Sequence, residues 1–252
     1  MYQYETHMHT YEASACGTTH AADYPAYYQS IGYAGIIITD HFYHGNTRIP
    51  RDLPWEDWVN GFCRGYEEAK AAGDAIGFPV FFGWEENFEG DEFLTYGLDR
   101  EWLLAHPGLR SWTRTQYYNE VHAAGGLVVQ AHPFRERGYL SSIHLNPENC
   151  DAWEGYNAFN EELHNLHAMQ YATEHGIFTT AGSDLHKIGS KAPEGLFGMC
   201  FETPLNDIQD YVKRILAHEG TPRVPAEQLY DPAHPVDMTT GLPVYVNVRG
   251  QS

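Results

Sequence analysis

Five short segments of this 252-residue chain end in residues that bind metals, and an apolar run that reads as a strand precedes each one. They are Thr6-His7-Met8-His9, Ile38-Thr39-Asp40-His41, Gly83-Trp84-Glu85, Gln130-Ala131-His132-Pro133 and Gly182-Ser183-Asp184-Leu185-His186. Every segment follows its strand. In parallel α/β barrels the carboxyl ends of the strands build the active site, so the five can converge on one mouth. A random scatter of His, Asp and Glu would fall on both ends. The pattern constrains fold and chemistry together: a barrel with a polynuclear metal site, as in a metal-dependent hydrolase.

The rest of the chain fits such a barrel. Residues 2–8, 35–39, 80–86, 92–98, 127–131, 151–156, 177–181 and 199–202 read as strands, and 80–86 and 92–98 pair around the turn Glu89-Gly90-Asp91. Helical patterns at 21–31, 54–77, 115–124, 161–174 and 207–218 separate them, several closed by glycine. The repeat of strand and helix implies parallel strands joined by right-handed crossovers, about seven units in all. The expected fold is a distorted (β/α)7 TIM-like barrel over residues 1–220. Residues 221–252 are Pro-rich, carry an edge strand at 243–248, and read as a C-terminal tail packed on the barrel.

A net charge of −19 argues against nucleic acid and anionic membranes as partners. It allows a small phosphorylated substrate, because bound divalent cations reverse the local sign. No apolar run is long enough to span a bilayer, and the first residues lack the basic and apolar regions of a signal peptide, so a cytoplasmic location is expected. Nothing specifies an oligomeric state. Cys16, Cys63, Cys150 and Cys200 form no C-x-x-C pair and read as reduced thiols. Of the 15 histidines, His106, His164, His167, His175 and His218 lie in helical or loop patterns and read as ordinary residues.

His7 and His9 stand two apart on a strand, so both side chains leave one face and form half of a transition-metal site. Asp184 and His186 repeat this spacing. Asp40 and His41 follow a buried strand, where an unpaired charge costs several kcal/mol. Asp40 there is a ligand, a carboxylate that orients a liganding His, or a helix cap. Glu85 can bridge two cations, as a single imidazole nitrogen cannot, while Glu86 faces the other way. His132 completes the set before Pro133.

The ordered motifs H-x-H, T-D-H, G-x-E, A-H-P and S-D-x-H resemble the PHP family, named for polymerase and histidinol phosphatase. The resemblance runs from about residue 4 to 186. It implies a distorted seven-stranded barrel, two or three divalent metal ions such as Zn, Mn or Fe, and phosphoesterase activity. It also implies that His7, His9, His41, Glu85, His132, Asp184 and His186 are the ligands, with Glu85 and Asp184 shared at the centre. Two departures stand out. An acid or His usual a few residues after H-x-H is missing, and Glu12 is the best substitute, with Cys16 and His20 behind it. A His usual on the strand after the Glu is also missing, and Glu92 can replace it. Two metals are therefore expected ahead of three.

The reaction expected is phosphomonoester hydrolysis by a metal-bridged hydroxide. Asp40 and His20 are the candidate catalytic groups, with His44 a further proton donor. Arg135 and Lys187 sit next to ligand motifs and are the candidate substrate-binding cations. Three rivals share parts of the pattern: an amidohydrolase-type C–N hydrolase, a PHP-type exonuclease and a non-catalytic PHP scaffold. The acidic charge opposes the nuclease, the D-x-H ending the amidohydrolase, and the retained ligand set the scaffold.

Overall fold

A computed structural model describes residues 1–248. Its strands are β1 (Tyr2–Glu5), β2 (Gly35–Ile38), β3 (Val80–Phe88), β4 (Asp91–Tyr96), β5 (Leu127–Gln130), β6 (Ile143–Leu145), β7 (Ala152–Asn157), β8 (Thr179–Gly182), β9 (Gly198–Phe201), β10 (Thr221–Arg223) and β11 (Val244–Val246). The α-helices are α1 (Tyr24–Ser30), α2 (Trp55–Ile76), α3 (Arg100–Ala105), α4 (Arg114–Ala123), α5 (Glu162–His175) and α6 (Ile208–Leu216). The β-branched run of β2 is buried along its whole length, as a strand covered on both faces must be. Helix α2 turns Trp58, Val59, Phe62, Cys63 and Ala69 inward at helical spacing and stops at Gly77, whose φ is +67°. A capping box of Thr113 and Gln116 starts α4. Among the described residues no helix is long and apolar enough to cross a membrane.

One nine-stranded sheet, in the order β10-β9-β1-β2-β3-β4-β5-β7-β8, curls into a nearly closed barrel, with β8 coming back beside β9 and β10. The expected distorted TIM-like barrel departs from parallel pairing at two places. Strand β4, returning through the expected hairpin, runs antiparallel to both β3 and β5, and β9 runs antiparallel to β1 and β10. The first reversal follows from the hairpin turn. Glu89 and Gly90 have positive φ, and Asn87 Oδ1 accepts the Gly90 N–H at 3.0 Å. A tight turn leaves no room for a crossover helix, so β4 must return antiparallel. Residues 221–223 of the expected tail join the barrel sheet as β10. Farther along, β11 pairs with β6 in a separate two-stranded sheet, while residues 249–252 of that tail lie outside the described residues.

The first strand is also shorter than its apolar pattern. It ends at Glu5 because the buried Glu5 carboxylate takes the N–H groups of Thr6 and His7, both at 3.0 Å, in place of a neighbouring strand. The same oxygen accepts the Ser183 N–H at 2.8 Å. Beyond this interruption the barrel closes through its carboxyl ends. Asp184 N–H donates to His7 O at 2.7 Å, His9 N–H to Leu185 O at 2.9 Å, and Met8 pairs with Leu185. On the other side Thr39 N–H donates to Met8 O, Glu85 N–H to Asp40 O, and His41 pairs with Glu85. Residues 7–9, 39–41, 85 and 184–185 thus form one continuous backbone rim.

Helix α2 packs beneath this rim at Gly65, where an added Cβ would sit 2.4 Å from Thr10 Oγ1 and 2.8 Å from Asp40 Oδ2. Gly61, one turn earlier, would meet only Ile49, at 3.4 Å. Gly65→Ala is therefore expected to cost about 1–3 kcal/mol by overpacking. Gly61→Ala should be neutral or stabilising by up to about 1 kcal/mol through helix propensity. Urea unfolding of the two variants checks the difference.

Candidate metal centre

The rim gathers the side chains that the motifs single out. His7, His9, His41, Glu85, His132 and Asp184 are buried, and His186 is partly exposed at the mouth. Four overlapping groups bring their ligand atoms within 4.8 Å of one another: His9, His41 and His186; His7, Glu85 and His132; His7, His9 and Asp184; and His41, Glu85 and Glu92. Glu85 lies at the middle. Its Oε1 is 3.2 Å from His7 Nε2 and 3.4 Å from His132 Nε2, and its Oε2 is 2.8 Å from His41 Nδ1.

These atoms face one another without satisfying one another. His41 Nδ1, Glu85 Oε1 and His132 Nε2 are buried and lie in no aligned hydrogen bond. Orphaned buried polar atoms cost free energy, and a shared divalent cation is what a converging set of imidazoles and carboxylates satisfies. The donor set, nitrogen and oxygen with partial exposure only at one side, fits such an ion. Two of the ligand positions also carry backbone strain: His132 has φ +30° and Asp184 φ +59°. Both are held there by their amides, which donate to Glu154 Oε2 and His7 O respectively.

Buried partners set the tautomers. Glu154 Oε1 accepts from His7 Nδ1 at 2.8 Å, which leaves Nε2 facing the cluster. Ser14 has a single hydroxyl proton and directs it to Asp40 Oδ1 at 2.6 Å. The Ser14 oxygen therefore accepts from His9 Nδ1 at 3.1 Å and from the His41 amide at 3.0 Å. His186 Nδ1 donates to Asp184 O at 2.8 Å. In all three rings Nε2 is the nitrogen that these partners leave for the cluster.

The electrostatics follow from this crowding. Burial works against a charged His7, yet Glu154, Glu85 and Asp184 outweigh it and hold the imidazole well above its ordinary pKa. Burial, together with His41 and His186, pushes His9 well below. Burial alone would raise Glu85, but His7 and His41 keep its carboxyl well below the ordinary value. Asp184 behaves likewise, with burial overcome by Arg135 and His7. The protons held at this centre are those a metal would displace.

The remaining expectations divide. Arg135 reaches the cluster: its Nη2 pairs with Asp184 Oδ2 at 2.7 Å and its Nε donates to Asn160 Oδ1 at 2.6 Å. That ion pair occupies one Asp184 oxygen; Glu85 stands in two of the four groups and Asp184 in one. Glu12 does not reach the cluster. Its oxygens accept from His20 Nδ1 at 2.7 Å and the Ala21 amide at 2.9 Å, at the start of the 3-10 turn Ala21–Asp23. His20 is exposed on this turn, away from the ligand groups. Asp40 is likewise not a cluster member. It accepts from Thr10 N, Thr10 Oγ1 and Ser14 Oγ, and burial pushes its carboxyl up to about 6. It supports the loop that holds His9. Lys187 is exposed, and its side chain makes no ion pair or hydrogen bond with the described residues. His44 is turned to Glu86 Oε2 at 3.2 Å and the Arg110 carbonyl.

Glu92, the expected replacement for the missing His on the strand after Glu85, does reach the cluster. Its carboxylate is 3.4 Å from His132 Nε2 and 3.9 Å from His41 Nδ1. Glu154, Ser14 and Glu5 escaped the motif reading. Glu154 did leave a signal, as the one carboxylate in the run 152–156. A cleft of about 30 Å³ beside the centre is lined by Glu92, His132, Arg135, Tyr139 and His144. A larger cavity of about 530 Å³ lies at the opposite end of the barrel, against Met1, Phe201 and Arg214, and gathers none of these ligands.

By sequence, no family model and no curated protein matches the chain. By shape, it is similar to a two-domain protein from Bacteroides vulgatus that contains a predicted PHP-like metal-dependent phosphoesterase. That likeness has a TM-score of 0.65 and 14% identity and covers 88% of this chain, which spans only 64% of that protein. It is also similar to PsfC from Pseudomonas syringae, at TM-score 0.55 and 15% identity over 90% of this chain and 93% of the other. A candidate metal-dependent phosphoesterase from Bifidobacterium adolescentis gives 0.50 and 17% over 85% and 96%. Two of these three neighbours are thus predicted metal-dependent phosphoesterases, one of them described as PHP-like, and the fold is the TIM-like barrel that the motif order implies.

Two outcomes follow from this geometry. Glu154→Gln, which keeps the shape but weakens the partner of His7, is expected to lower metal affinity by about 10–100-fold, read by metal titration. Stripping metal with a chelator should lower the thermal midpoint. A metal at about 100 times its Kd adds about 2.7 kcal/mol, which for a domain of this size is on the order of 5–10 °C by calorimetry.

Proposed function

We propose that this centre hydrolyses phosphate esters of a small metabolite, as a metal-dependent phosphomonoesterase. The observation that carries the reading is the convergence of five imidazoles and three carboxylates, His7, His9, His41, His132, His186, Glu85, Glu92 and Asp184, on the carboxyl rim of a PHP-like barrel. Divalent cations held there supply two kinds of chemistry, activation of water near neutral pH and neutralisation of charge on phosphate oxygens.

The chain's own residues do the rest. Glu154, Ser14 and the Asp184 carbonyl fix which nitrogen each of His7, His9 and His186 presents. Arg135, anchored by Asn160 and Asp184, is the guanidinium at the edge of the cluster and a natural partner for a phosphoryl oxygen. Its side chain is 10% exposed and lines the adjoining cleft. The net charge of −19 disfavours polyanionic nucleic acid and leaves small phosphorylated substrates as the class the centre suits.

The test is phosphate release by the purified protein, loaded in turn with Mn²⁺, Zn²⁺ or Fe²⁺, over a panel of phosphomonoesters and diesters. Turnover of a monoester is expected, falling to background in Glu85→Gln. Arg135→Ala should raise KM more than it lowers kcat if the guanidinium binds ground state and transition state alike. Ammonia release from a cyclic amide without phosphate release from any ester would overturn the reading in favour of a C–N hydrolase.

A further inference from the structure

One wall of the cleft beside the metal centre lies outside the barrel sheet. Arg135, Tyr139, Ser142 and His144 stand on it, in the stretch that leaves the ligand His132 and ends in β6. Strand β6 belongs to the two-stranded sheet and not to the nine-stranded one. On one edge the Gln130 side chain stands in for a strand, with Nε2 donating to His144 O at 2.7 Å and Oε1 accepting the Asn146 N–H at 2.8 Å. On the other edge lies β11, from the far end of the chain. We infer that residues 236–247 form a strap that positions this wall, and Arg135 with it, so that the C-terminal segment governs binding of the phosphorylated substrate and leaves the metal ligands alone.

The strap is fixed to the barrel at its start and to the wall farther along. Val236 N–H donates to Gln170 Oε1 and His167 Nε2 to Asp237 O, both at 2.8 Å, which ties the start to α5. Met238 and Leu242 pack against the core cluster that includes Phe134 and Ile143, apolar residues at either end of the wall. Between them Gly241 N–H donates to Oε1 of Glu136, the neighbour of Arg135, at 2.9 Å. Ile143 N–H donates to Pro243 O and Asn247 N–H to Leu145 O, each at 2.8 Å, so β11 runs along β6 with Tyr245 opposite His144. Asn247 Nδ2 adds a bond to Asn146 Oδ1 at 2.9 Å, and the Tyr245 and His144 rings lie 5.7 Å apart.

The wall has little order of its own. It turns on Arg135 N–H to His132 O and Leu140 N–H to Arg137 O, both at 2.9 Å, and Tyr139 on it is 77% exposed. A segment held so lightly keeps conformational entropy, and a ligand that orders it loses affinity by that amount. The strap removes this cost before the ligand arrives. The metal ligands are held elsewhere, by the backbone rim and by Glu154 and Ser14, so wall and metals can be perturbed separately. The effect on substrate rests on Arg135 meeting a phosphoryl oxygen, as proposed above, whereas the hold of the strap on the wall does not.

The experiment is amide hydrogen exchange and ligand binding on the full chain loaded with Mn²⁺. Asn247→Pro removes the donor to Leu145 O and the side-chain bond to Asn146. Glu136→Ala removes the acceptor of the Gly241 amide, and Glu136→Gln keeps an oxygen there. In Asn247→Pro and Glu136→Ala, the Arg135 and Leu140 amides, which bond His132 and Arg137 and not the strap, are expected to exchange about tenfold faster than in the wild type. The His9 and Asp184 amides of the rim should keep wild-type rates, and metal content should not change. Affinity for inorganic phosphate, read by calorimetry, should fall about tenfold and KM rise to match at an unchanged kcat, with Glu136→Gln recovering both. Wild-type exchange at Arg135 and Leu140 in both variants would overturn the strap. So would faster exchange that spreads to His9 and Asp184, which reports general loss of stability. Faster exchange at the wall with phosphate affinity and KM unchanged would overturn its role in substrate binding. No phosphate binding and no ester turnover by the wild type would overturn the phosphatase reading instead, with exchange still deciding whether the strap holds the wall.

Discussion

The centre depends on a seam of backbone hydrogen bonds between the end of β1 and the segment that follows β8. Asp184 N–H to His7 O and His9 N–H to Leu185 O join the first and last ligand motifs directly. Those motifs are separated by more than two thirds of the chain, so closing them together carries the loop-closure entropy of the barrel. Glu5 braces the seam from below by accepting the amides of Thr6, His7 and Ser183 and the hydroxyl of Tyr28. A carboxylate this deep would be costly alone, and burial does push its carboxyl above the ordinary value. Four donors offset that cost, and the result is a fixed distance between His7, His9 and Asp184.

Above the seam, preorganisation comes from polar groups that never face the ligand. The chain Asp40, Ser14, His9 runs through short hydrogen bonds, and Glu154 spans His7, the His132 amide and Asn157. These contacts select ring orientation and tautomer before any ion arrives, which limits the entropy lost on binding. Strain at His132 and Asp184 is tolerated because the same network holds their amides. Gly182 is part of this economy: a Cβ there would lie 2.5 Å from His7 Cβ and 2.6 Å from Glu154 Oε1, so that pair can meet only across a glycine.

Much of this was legible in the chain because each ligand motif is local. His7 with His9, and Asp184 with His186, lie on short stretches where strand alternation alone sets which side chains share a face. The carboxyl-end position of all five segments gave the barrel. What local spacing does not carry is who stands across the barrel. Glu12 is the nearest acid after His9, but the loop turns it to His20 and Ala21. Glu92 reaches the centre because β4 reverses beside β3 and β5. Asp40 follows the strand-end rule and is still turned aside, since Thr10 and Ser14 offer it three hydrogen bonds. Lys187 adjoins His186 in sequence but is exposed, and its side chain makes no ion pair or hydrogen bond with the described residues, whereas Arg135 is folded inward by Asn160 and Asp184.

The central claim is that these eight side chains are one metal centre. Anomalous diffraction from a crystal of the metal-loaded protein tests it most directly. The account predicts peaks enclosed by His7, His9, Asp184, Glu85 and His132, with Glu154 and Ser14 still bonded to the far nitrogens of their histidines. Metal bound elsewhere on the surface, with His7, Glu85 and His132 left in contact with one another and no peak among them, would contradict it.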